Sequence, residues 1–453
     1  MRYAIVLPDG AADEPQPRLG HRTPLESASL PNMDWIARHG RLGRVVTVPP
    51  GFTPGTDVAT MALLGYDPQR CYPGRAPIEA AARGLSAGPD ELIFRCNFVT
   101  IQDGRMKDFT AGHIAQHEAE RLIADLNVLA SGWPGASSAT PTEAACASAT
   151  GQADPLSDSG PPAQGRYVTP ASPDEPAPPG ESALRGCRFF SGVSYRNLLI
   201  ISNATGIDAR CAPPHDIPDQ PVADHLPRGA GAERLRAIMS RAAGLLKDHE
   251  VNRIRRAQGR PPVTDIWLWG QGRPVKLEPF VERFGVRGAV IAGVDIIRGL
   301  AVMTGMSLID VPGATGYIDT NYAGKGAAAV RALDRYELVV VHIEAPDEAG
   351  HLGDAALKVQ ALERIDEHIV GPLLEALRRG QEQSRWSGWR ILIAPDHPTP
   401  CTSTAHDAAP PPFCFAGTGV APAGARSFSE RDALDAGWLV DPACELMRLF
   451  ISR

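Results

Sequence analysis

The chain lacks any long apolar run that could cross a membrane or form a leader. No stretch of about 18 consecutive apolar residues occurs among its 453 residues, so the sequence predicts no transmembrane helix. The opening segment, MRYAIVLPDG, has an apolar run too short for a signal peptide and has no small-residue cleavage site. We therefore expect a cytoplasmic protein that does not act at a membrane.

The chain also lacks an excess of basic residues. Its formal net charge is −7, which argues against a general nucleic-acid binder but leaves room for a local basic pocket. The expected partner is therefore a small molecule. Whether the chain forms a homo-oligomer is left open by the sequence.

Paired cysteine motifs are absent, although cysteine itself is not. The chain has eight cysteines, and no two of them form a CxxC pair. They are Cys71, Cys96, Cys146, Cys187, Cys211, Cys401, Cys414 and Cys444. In a chain of this length, such scattered positions favour buried free thiols in a reducing compartment over a disulfide framework.

Short apolar segments alternate with helical patterns over much of the chain, which predicts an α/β fold with a doubly wound sheet. The length suggests about two or three domains. The pattern changes near Gly84 and returns near Val263, and ERLRAIMSRAAGLLKDHEVNRIRRAQG between them is read as one long helical stretch. Residues 131–181 are rich in Ala, Ser, Gly and Pro, which is typical of a flexible insertion.

Three apolar segments end at an aspartate: YAIVLPD at Asp9, ELVVVHIEAPD at Asp347 and WRILIAPD at Asp396. A single aspartate in such a place is most often a turn or capping residue. Three of them are harder to explain in that way, because ligands of open parallel sheets bind at the carboxyl ends of the strands.

Histidines accompany two of these aspartates. His351 follows Asp347 at a spacing of four in DEAGH, which places both on one face of a helical turn. His397 follows Asp396 directly, and His406 lies nine residues further on. Carboxylates together with imidazoles suit manganese or zinc better than an all-oxygen calcium site, with magnesium or cobalt as alternatives. The groups suffice for two ions, which could act on both oxygens of a phosphoryl displacement.

The segment PGTDVATMALLG places Thr56 at the start of a predicted helix. One interpretation makes Thr56 an ordinary helix cap. The other makes its hydroxyl a nucleophile, because nearby divalent ions would stabilise the alkoxide and the helix N–H groups would favour an arriving phosphate.

These motifs resemble a known family. The order of Asp9, GTD, DEAGH, DH and a late histidine resembles the alkaline phosphatase superfamily. Closer still, LPDGAADEP, GTDVATMALLGYDP, FRCNFVT, PGATGYIDTNYAGK, APDEAGH and DHPTPC resemble the archaeal-type, cofactor-independent phosphoglycerate mutases, across nearly the whole chain outside residues 131–181. The resemblance implies an alkaline-phosphatase-like core formed by residues 1–84 and 263–453. It also implies an inserted α+β substrate or cap domain formed by residues 85–262.

The resemblance further implies the interconversion of 2- and 3-phosphoglycerate in glycolysis and gluconeogenesis, without 2,3-bisphosphoglycerate. Thr56 matches the family's nucleophilic serine. The implied ligands of one metal are Asp9, Thr56, Asp396 and His397, and those of the other are Asp347, His351 and His406. Lys325, in TNYAGK, matches a lysine held near the transferred phosphoryl group.

Substrate recognition is less clearly specified. Arg95, His113 and Arg253 are the cationic candidates for substrate binding, with exposed surface positions as the alternative. Two features depart from the family: threonine at position 56 replaces serine, and His113 in DFTAGHI replaces an arginine. The second feature resembles a branch proposed to be homoserine kinases. A related phosphotransferase or phosphatase is therefore the alternative function. A non-enzymatic member is disfavoured, because every expected ligand residue is present.

Overall fold

The computed structural model describes residues 1–131 and 184–452. Apart from Ser131, which ends a helix, the predicted insertion at 131–181 lies outside the described residues. No helix in the described ranges is long and apolar enough to span a bilayer.

The strands of the described residues are numbered in chain order. They are β1 (Arg2–Pro8), β2 (Arg41–Val45), β3 (Leu92–Gln102), β4 (Arg105–Asp108), β5 (Cys187–Val193), β6 (Arg196–Ile201), β7 (Asp208–Arg210), β8 (Arg228–Ala230), β9 (Asp265–Gly272), β10 (Gly288–Ile291), β11 (Ser307–Leu308), β12 (Leu338–Ile343), β13 (Trp389–Ile393), β14 (Pro412–Gly417) and β15 (Leu439–Val440).

The helices of the same residues are numbered likewise. They are α1 (Pro24–Ser27), α2 (Pro31–His39), α3 (Thr56–Leu63), α4 (Pro68–Cys71), α5 (Arg75–Ala82), α6 (Gln116–Ser131), α7 (Ala232–Lys247), α8 (Glu250–Ala257), α9 (Phe280–Phe284), α10 (Asp295–Met303), α11 (Tyr322–Ala332), α12 (Ala345–His351), α13 (Ala355–Ile365), α14 (Gly371–Glu382), α15 (Glu430–Asp435) and α16 (Cys444–Ile451). A π-helical turn, Asp366–Val370, joins α13 to α14.

The described residues form two compact units, and the first comprises Met1–Phe94 and Gly270–Arg453. Its sheet has eight strands in the order β11-β10-β12-β1-β13-β14-β2-β15, and β14 runs antiparallel to both of its neighbours. The other pairings in this sheet are parallel. The predicted α/β core is confirmed.

The central strand β1 shows why this sheet is covered on both faces. Ala4 and Val6 belong to one apolar cluster, whereas Ile5 and Leu7 belong to another. Side chains alternate between the two faces of a strand, so each face of the sheet has its own core. A strand buried on both faces reads as a continuous apolar run, as YAIVL does.

The second unit, Arg95–Trp269, is an α+β structure. Its sheet has the order β4-β3-β6-β5, with β9 also paired to β3, and a separate ribbon is formed by β7 and β8. The unit boundaries fall inside β3 and β9, ten and seven residues beyond the boundaries expected from sequence at 84/85 and 262/263.

The prediction of one long helical stretch over residues 233–259 is wrong in one respect. The structure breaks it at Asp248, and α8 begins afresh after His249. The His249 side chain accepts a hydrogen bond from the Val251 N–H, so it caps the second helix. A capping side chain of this kind competes with helix continuation.

Candidate active site

The three aspartates lie at the carboxyl ends of neighbouring strands of the first unit. Strands β12, β1 and β13 are adjacent in the sheet. Asp9 follows β1, Asp347 lies in the helix that follows β12, and Asp396 lies three residues after β13. All three are buried. The sheet order therefore gathers residues that are more than 300 positions apart in sequence.

Asp9, Asp396 and His397 form the first cluster. His397 Nε2 lies 3.5 Å from Asp9 Oδ1 and 3.4 Å from Asp396 Oδ2. Asp396 Oδ1 is held by hydrogen bonds from the N–H groups of Gly10 and His397. Gly10 has a φ of +59°, and a Cβ there would lie 2.5 Å from Asp347 Oδ1, so the close approach requires glycine.

Asp347, His351 and His406 form the second cluster. His351 Nε2 lies 3.2 Å from Asp347 Oδ2, and His406 Nε2 lies 3.5 Å from Asp347 Oδ1. The two Nε2 atoms are only 3.0 Å apart. His397 also faces this cluster, because its ring centroid lies 4.1 Å from that of His406.

The electrostatics of these clusters reflect crowded acids and bases. Burial and the neighbouring Asp396 raise the pKa of Asp9 well above its usual range. Although burial opposes it, hydrogen bonding with His351 and His406 holds the pKa of Asp347 well below its usual range. The same hydrogen bond to Asp347 raises the pKa of His351 to about 9.

The residues fit divalent cations. Among the described residues, Asp9 Oδ1 and Asp396 Oδ2 are buried and have no hydrogen-bond partner. Buried polar atoms are normally bonded, so two converging orphaned carboxylate oxygens indicate a place for a positive ion. The ligand atoms of Asp9, Asp396 and His397 lie within 4.8 Å of one another, and so do those of Asp347, His397 and His406.

Thr56 lies beside the first cluster. Its Oγ1 is 3.2 Å from Asp9 Oδ2 and 3.4 Å from His397 Nε2, and the residue is buried. The capping interpretation is wrong, because Gly55 is the N-cap of α3 and Thr56 is the first helical residue. The Thr56 hydroxyl therefore faces the carboxylate and imidazole groups of the cluster.

Lys325 lies in α11 and is fully buried. Its ammonium donates a hydrogen bond to the His342 carbonyl oxygen at 3.1 Å, which ties α11 to the end of β12. Burial lowers the pKa of Lys325 to about 8. The buried ammonium group of Lys325 is therefore hydrogen-bonded to β12, the strand that precedes Asp347.

Two further site residues, His342 and Glu344, were missed by the sequence analysis. His342 Nε2 lies 2.9 Å from Asp9 Oδ2 and 3.7 Å from Glu344 Oε2. Burial lowers the pKa of His342 to about 3, and burial raises that of Glu344 to about 7. The available signal was their place at the end of the apolar run in VVVHIEAPD, just before Asp347, where β12 ends and α12 begins.

The three substrate-binding candidates lie in the second unit. Arg95 is buried in β3, with its guanidinium carbon 4.1 Å from the centroid of the Trp269 ring. Arg253 is exposed on α8, and His113 is exposed in a loop after β4. Within this unit, the ring of His113 packs edge-on against Tyr195, with centroids 5.9 Å apart.

The loop that carries His113 has a conformation that few side chains adopt. Ala111, Gly112 and His113 all have positive φ values, of 48°, 64° and 46°. Asp108 accepts hydrogen bonds from the N–H groups of Thr110 and Gly112. Such backbone conformations persist only where the surroundings hold them, and they concentrate at functional sites.

The buried Arg255 supplies the rest of that support. Its guanidinium donates to the Ala111 carbonyl oxygen at 2.6 Å and pairs with Glu118 at 2.6 Å. Glu118 also pairs with Arg260 at 2.7 Å. A planar guanidinium presents five N–H donors in a fixed fork, so Arg255 can make these bonds together.

Comparison with known proteins adds an independent line of evidence. A sequence profile of the family described as 2,3-bisphosphoglycerate-independent phosphoglycerate mutase matches residues 37–186 and 181–252. The enzyme of that name from Methanothrix thermoacetophila is 43% identical over the whole of both chains. The one from Methanosarcina acetivorans is 38% identical over the whole of both chains.

Comparison with solved structures points to the same family. A Pyrococcus horikoshii protein has a TM-score of 0.72 at 25% identity, with 99% of this chain and 96% of that chain covered. The cofactor-independent phosphoglycerate mutase of Thermoplasma acidophilum has a TM-score of 0.59 at 25% identity, covering 99% and 98%. With relatives this similar over their full length, the chain belongs to the 2,3-bisphosphoglycerate-independent phosphoglycerate mutase family.

Proposed function

We propose that this mutase interconverts 2- and 3-phosphoglycerate by passing the phosphoryl group through Thr56. The observation that carries the proposal is the position of the Thr56 hydroxyl, within 3.4 Å of both an aspartate and a histidine of a buried cluster suited to a cation. A threonine hydroxyl reacts only when a base or a metal activates it.

Two divalent ions would complete the site. We assign Asp9, Thr56, Asp396 and His397 to one ion, and Asp347, His351 and His406 to the other. When bound, the ions would supply positive charge that stabilises an alkoxide and the transferring phosphoryl group. The mixture of oxygen and nitrogen ligands suits manganese or zinc, with magnesium or cobalt as alternatives.

The phosphoryl group is transferred in two successive displacements at phosphorus. Thr56 Oγ loses its proton and forms a bond to phosphorus, while the bond between phosphorus and one glycerate oxygen breaks. That oxygen takes up a proton. The other hydroxyl of the glycerate then loses its proton and forms a bond to the phosphorus of phosphothreonine. The bond between phosphorus and Thr56 Oγ breaks, and Thr56 Oγ takes up a proton. The N–H groups at the start of α3 would help to hold the phosphate.

We assign the remaining residues to binding and orienting the substrate. Lys325 is buried and cationic, so it could balance charge on the phosphoryl group in the transition state. We assign the second unit to substrate binding, with Arg95, His113 and Arg253 as the contacts. Arginine can hold a carboxylate or phosphate through two parallel hydrogen bonds, which would fix the orientation of the glycerate.

The test is a coupled assay on the full chain. The manganese-loaded protein is given 3-phosphoglycerate, and 2-phosphoglycerate is detected with enolase. We expect turnover by the wild type and none by Thr56→Ala. Thr60→Ala is the matched control, because Thr60 is a fully buried threonine of the same helix.

Two results would contradict the proposal. One is full activity of Thr56→Ala, which would make that hydroxyl dispensable. The other is a wild type that forms no 2-phosphoglycerate but phosphorylates homoserine from ATP or simply releases phosphate. That second result would move the chain to the alternative function, which its relatives do not favour.

A further inference from the structure

Four histidines surround the candidate active site: His342, His351, His397 and His406. They differ in the hydrogen-bond surroundings of their Nδ1 atoms. In three of them, Nδ1 lies near a backbone carbonyl oxygen. The distances are 2.9 Å from His351 to Thr404, 3.3 Å from His406 to Pro54 and 3.3 Å from His397 to Pro398. A proton on Nδ1 satisfies each carbonyl and leaves the Nε2 lone pair for a cation, which is the usual arrangement of metal-binding histidines.

His342 is different. Its ring is buried, and Nδ1 has no hydrogen-bond partner within the described part of the chain. Its Nε2 lies 2.9 Å from Asp9 Oδ2. In folded proteins, buried N–H groups without an acceptor are rarer than buried acceptors without a donor. The ring proton therefore belongs on Nε2, where it meets a carboxylate.

The position of the proton on His342 decides between two roles for a third cluster, which is formed by Asp9, His342 and Glu344. The ligand atoms of Asp9, His342 and Glu344 also lie within 4.8 Å of one another, so the group could in principle hold a third cation. That role would need the Nε2 lone pair of His342 and would move the proton to Nδ1, where the described residues offer no acceptor.

We propose that His342 is a positioning residue, which donates from Nε2 to Asp9 and binds no cation. The hydrogen bond occupies Asp9 Oδ2 and leaves Oδ1, which has no such partner in residues 1–131 and 184–452, facing His397. The Lys325 ammonium fixes the His342 backbone at its carbonyl oxygen. The inference rests on the proposed two-metal site and adds a residue that orients one of its ligands.

The first experiment compares two amide replacements. A glutamine amide can reach the position of Nε2, whereas the shorter asparagine amide matches Nδ1. We expect His342→Gln to keep manganese affinity within about threefold of wild type. We expect His342→Asn to weaken one of two sites about tenfold to a hundredfold, as loss of a ligand's hydrogen-bond partner typically does. Affinity and stoichiometry are measured on metal-depleted protein by calorimetry and elemental analysis.

Stoichiometry tests the competing role directly. We expect two ions per chain in the wild type, and still two in His342→Gln and in Glu344→Gln. Three ions in the wild type that fall to two in both variants would overturn the proposal. Equal weakening by Gln and Asn would also overturn it, because packing alone would then explain the effect.

A measurement on the unaltered protein covers the case in which the variants fail to fold. Nitrogen-15 histidine spectra of the zinc-loaded wild type should show His342 protonated on Nε2, and a proton on Nδ1 would refute the assignment. None of these readouts depends on turnover. Full mutase activity of Thr56→Ala would therefore overturn the proposed reaction while leaving the role of His342 to be judged on metal affinity.

Discussion

Thr56 carries a hydroxyl on a branched carbon at the first position of a helix whose residues are all buried. Its neighbours at 3.2 and 3.4 Å are the carboxyl group of Asp9 and the imidazole of His397, so the hydroxyl lies among ionisable groups in a buried environment. Electrostatic effects are larger in such surroundings than in water. The side chain at position 56 is therefore the most sensitive test of the proposed chemistry.

Replacement of Thr56 by serine should preserve phosphoryl transfer, because the hydroxyl stays and only a methyl group is lost. We expect Thr56→Ser to retain activity within about tenfold, whereas Thr56→Ala should lose most of the nucleophilic contribution. The measurement is kcat in the coupled assay, together with mass spectrometry of rapidly quenched enzyme for a phosphorylated chain. Absence of the added phosphate in both wild type and Thr56→Ser would argue against a phosphothreonine intermediate.

Asp347 should control metal binding. Asp347→Asn removes a charge that faces both His351 and His406, so we expect loss of about one ion per chain. Elemental analysis after dialysis measures this. Glu348→Gln, one residue further along α12, is the matched control and should keep both ions. Unchanged metal content in Asp347→Asn would refute the assignment of the second cluster.

The elements position these side chains in ways that local sequence does not reveal. Strand β1 runs between β12 and β13. Because all three strands are parallel, their carboxyl ends lie side by side at the same edge of the sheet. The apolar patterns of these strands were readable, because strands buried on both faces are continuous apolar runs. Their order in the sheet was not readable from those patterns, since pairing depends on contacts more than 300 residues apart.

At the same scale, the loop of His113 depends on α8. Arg255→Met should leave the Ala111 carbonyl oxygen without its donor and Glu118 with only Arg260. Because Glu118 keeps Arg260 as a partner and the Ala111 carbonyl oxygen loses its donor, we expect a loss of about 1–3 kcal/mol in the free energy of unfolding. If the loop binds substrate, KM should rise more than kcat falls.

Denaturant unfolding and steady-state kinetics measure these two effects. Arg256→Met, an exposed neighbour on the same helix, is the control and should change neither quantity much. A destabilised Arg255→Met variant with unchanged KM would show that the loop supports the fold of the second unit without taking part in substrate binding.

The whole molecule should be stabilised by its metals. The clusters gather acidic and basic side chains from distant segments, and such a site does not exist in the unfolded chain. A ligand that binds only the folded state at about 100 times its Kd adds roughly 2.7 kcal/mol of stability. We therefore expect EDTA to lower the Tm and manganese to restore it.

Calorimetry of the wild type and of Asp347→Asn checks this prediction. The variant should show a smaller difference between its manganese-loaded and EDTA-treated transitions. A wild-type Tm that does not respond to EDTA would contradict the presence of bound structural or catalytic ions.

The class of the fold and the residue types of the candidate metal site could be predicted from the primary structure alone. Apolar strands, helix patterns and motifs such as DEAGH and DH depend on local chemistry, which a single chain displays directly. Three features became visible only in the folded chain: Gly55 and not Thr56 caps α3, His249 interrupts a helical stretch, and His342 faces Asp9. These features depend on hydrogen-bond partners and strand neighbours that are brought together by folding, so local spacing carries little trace of them.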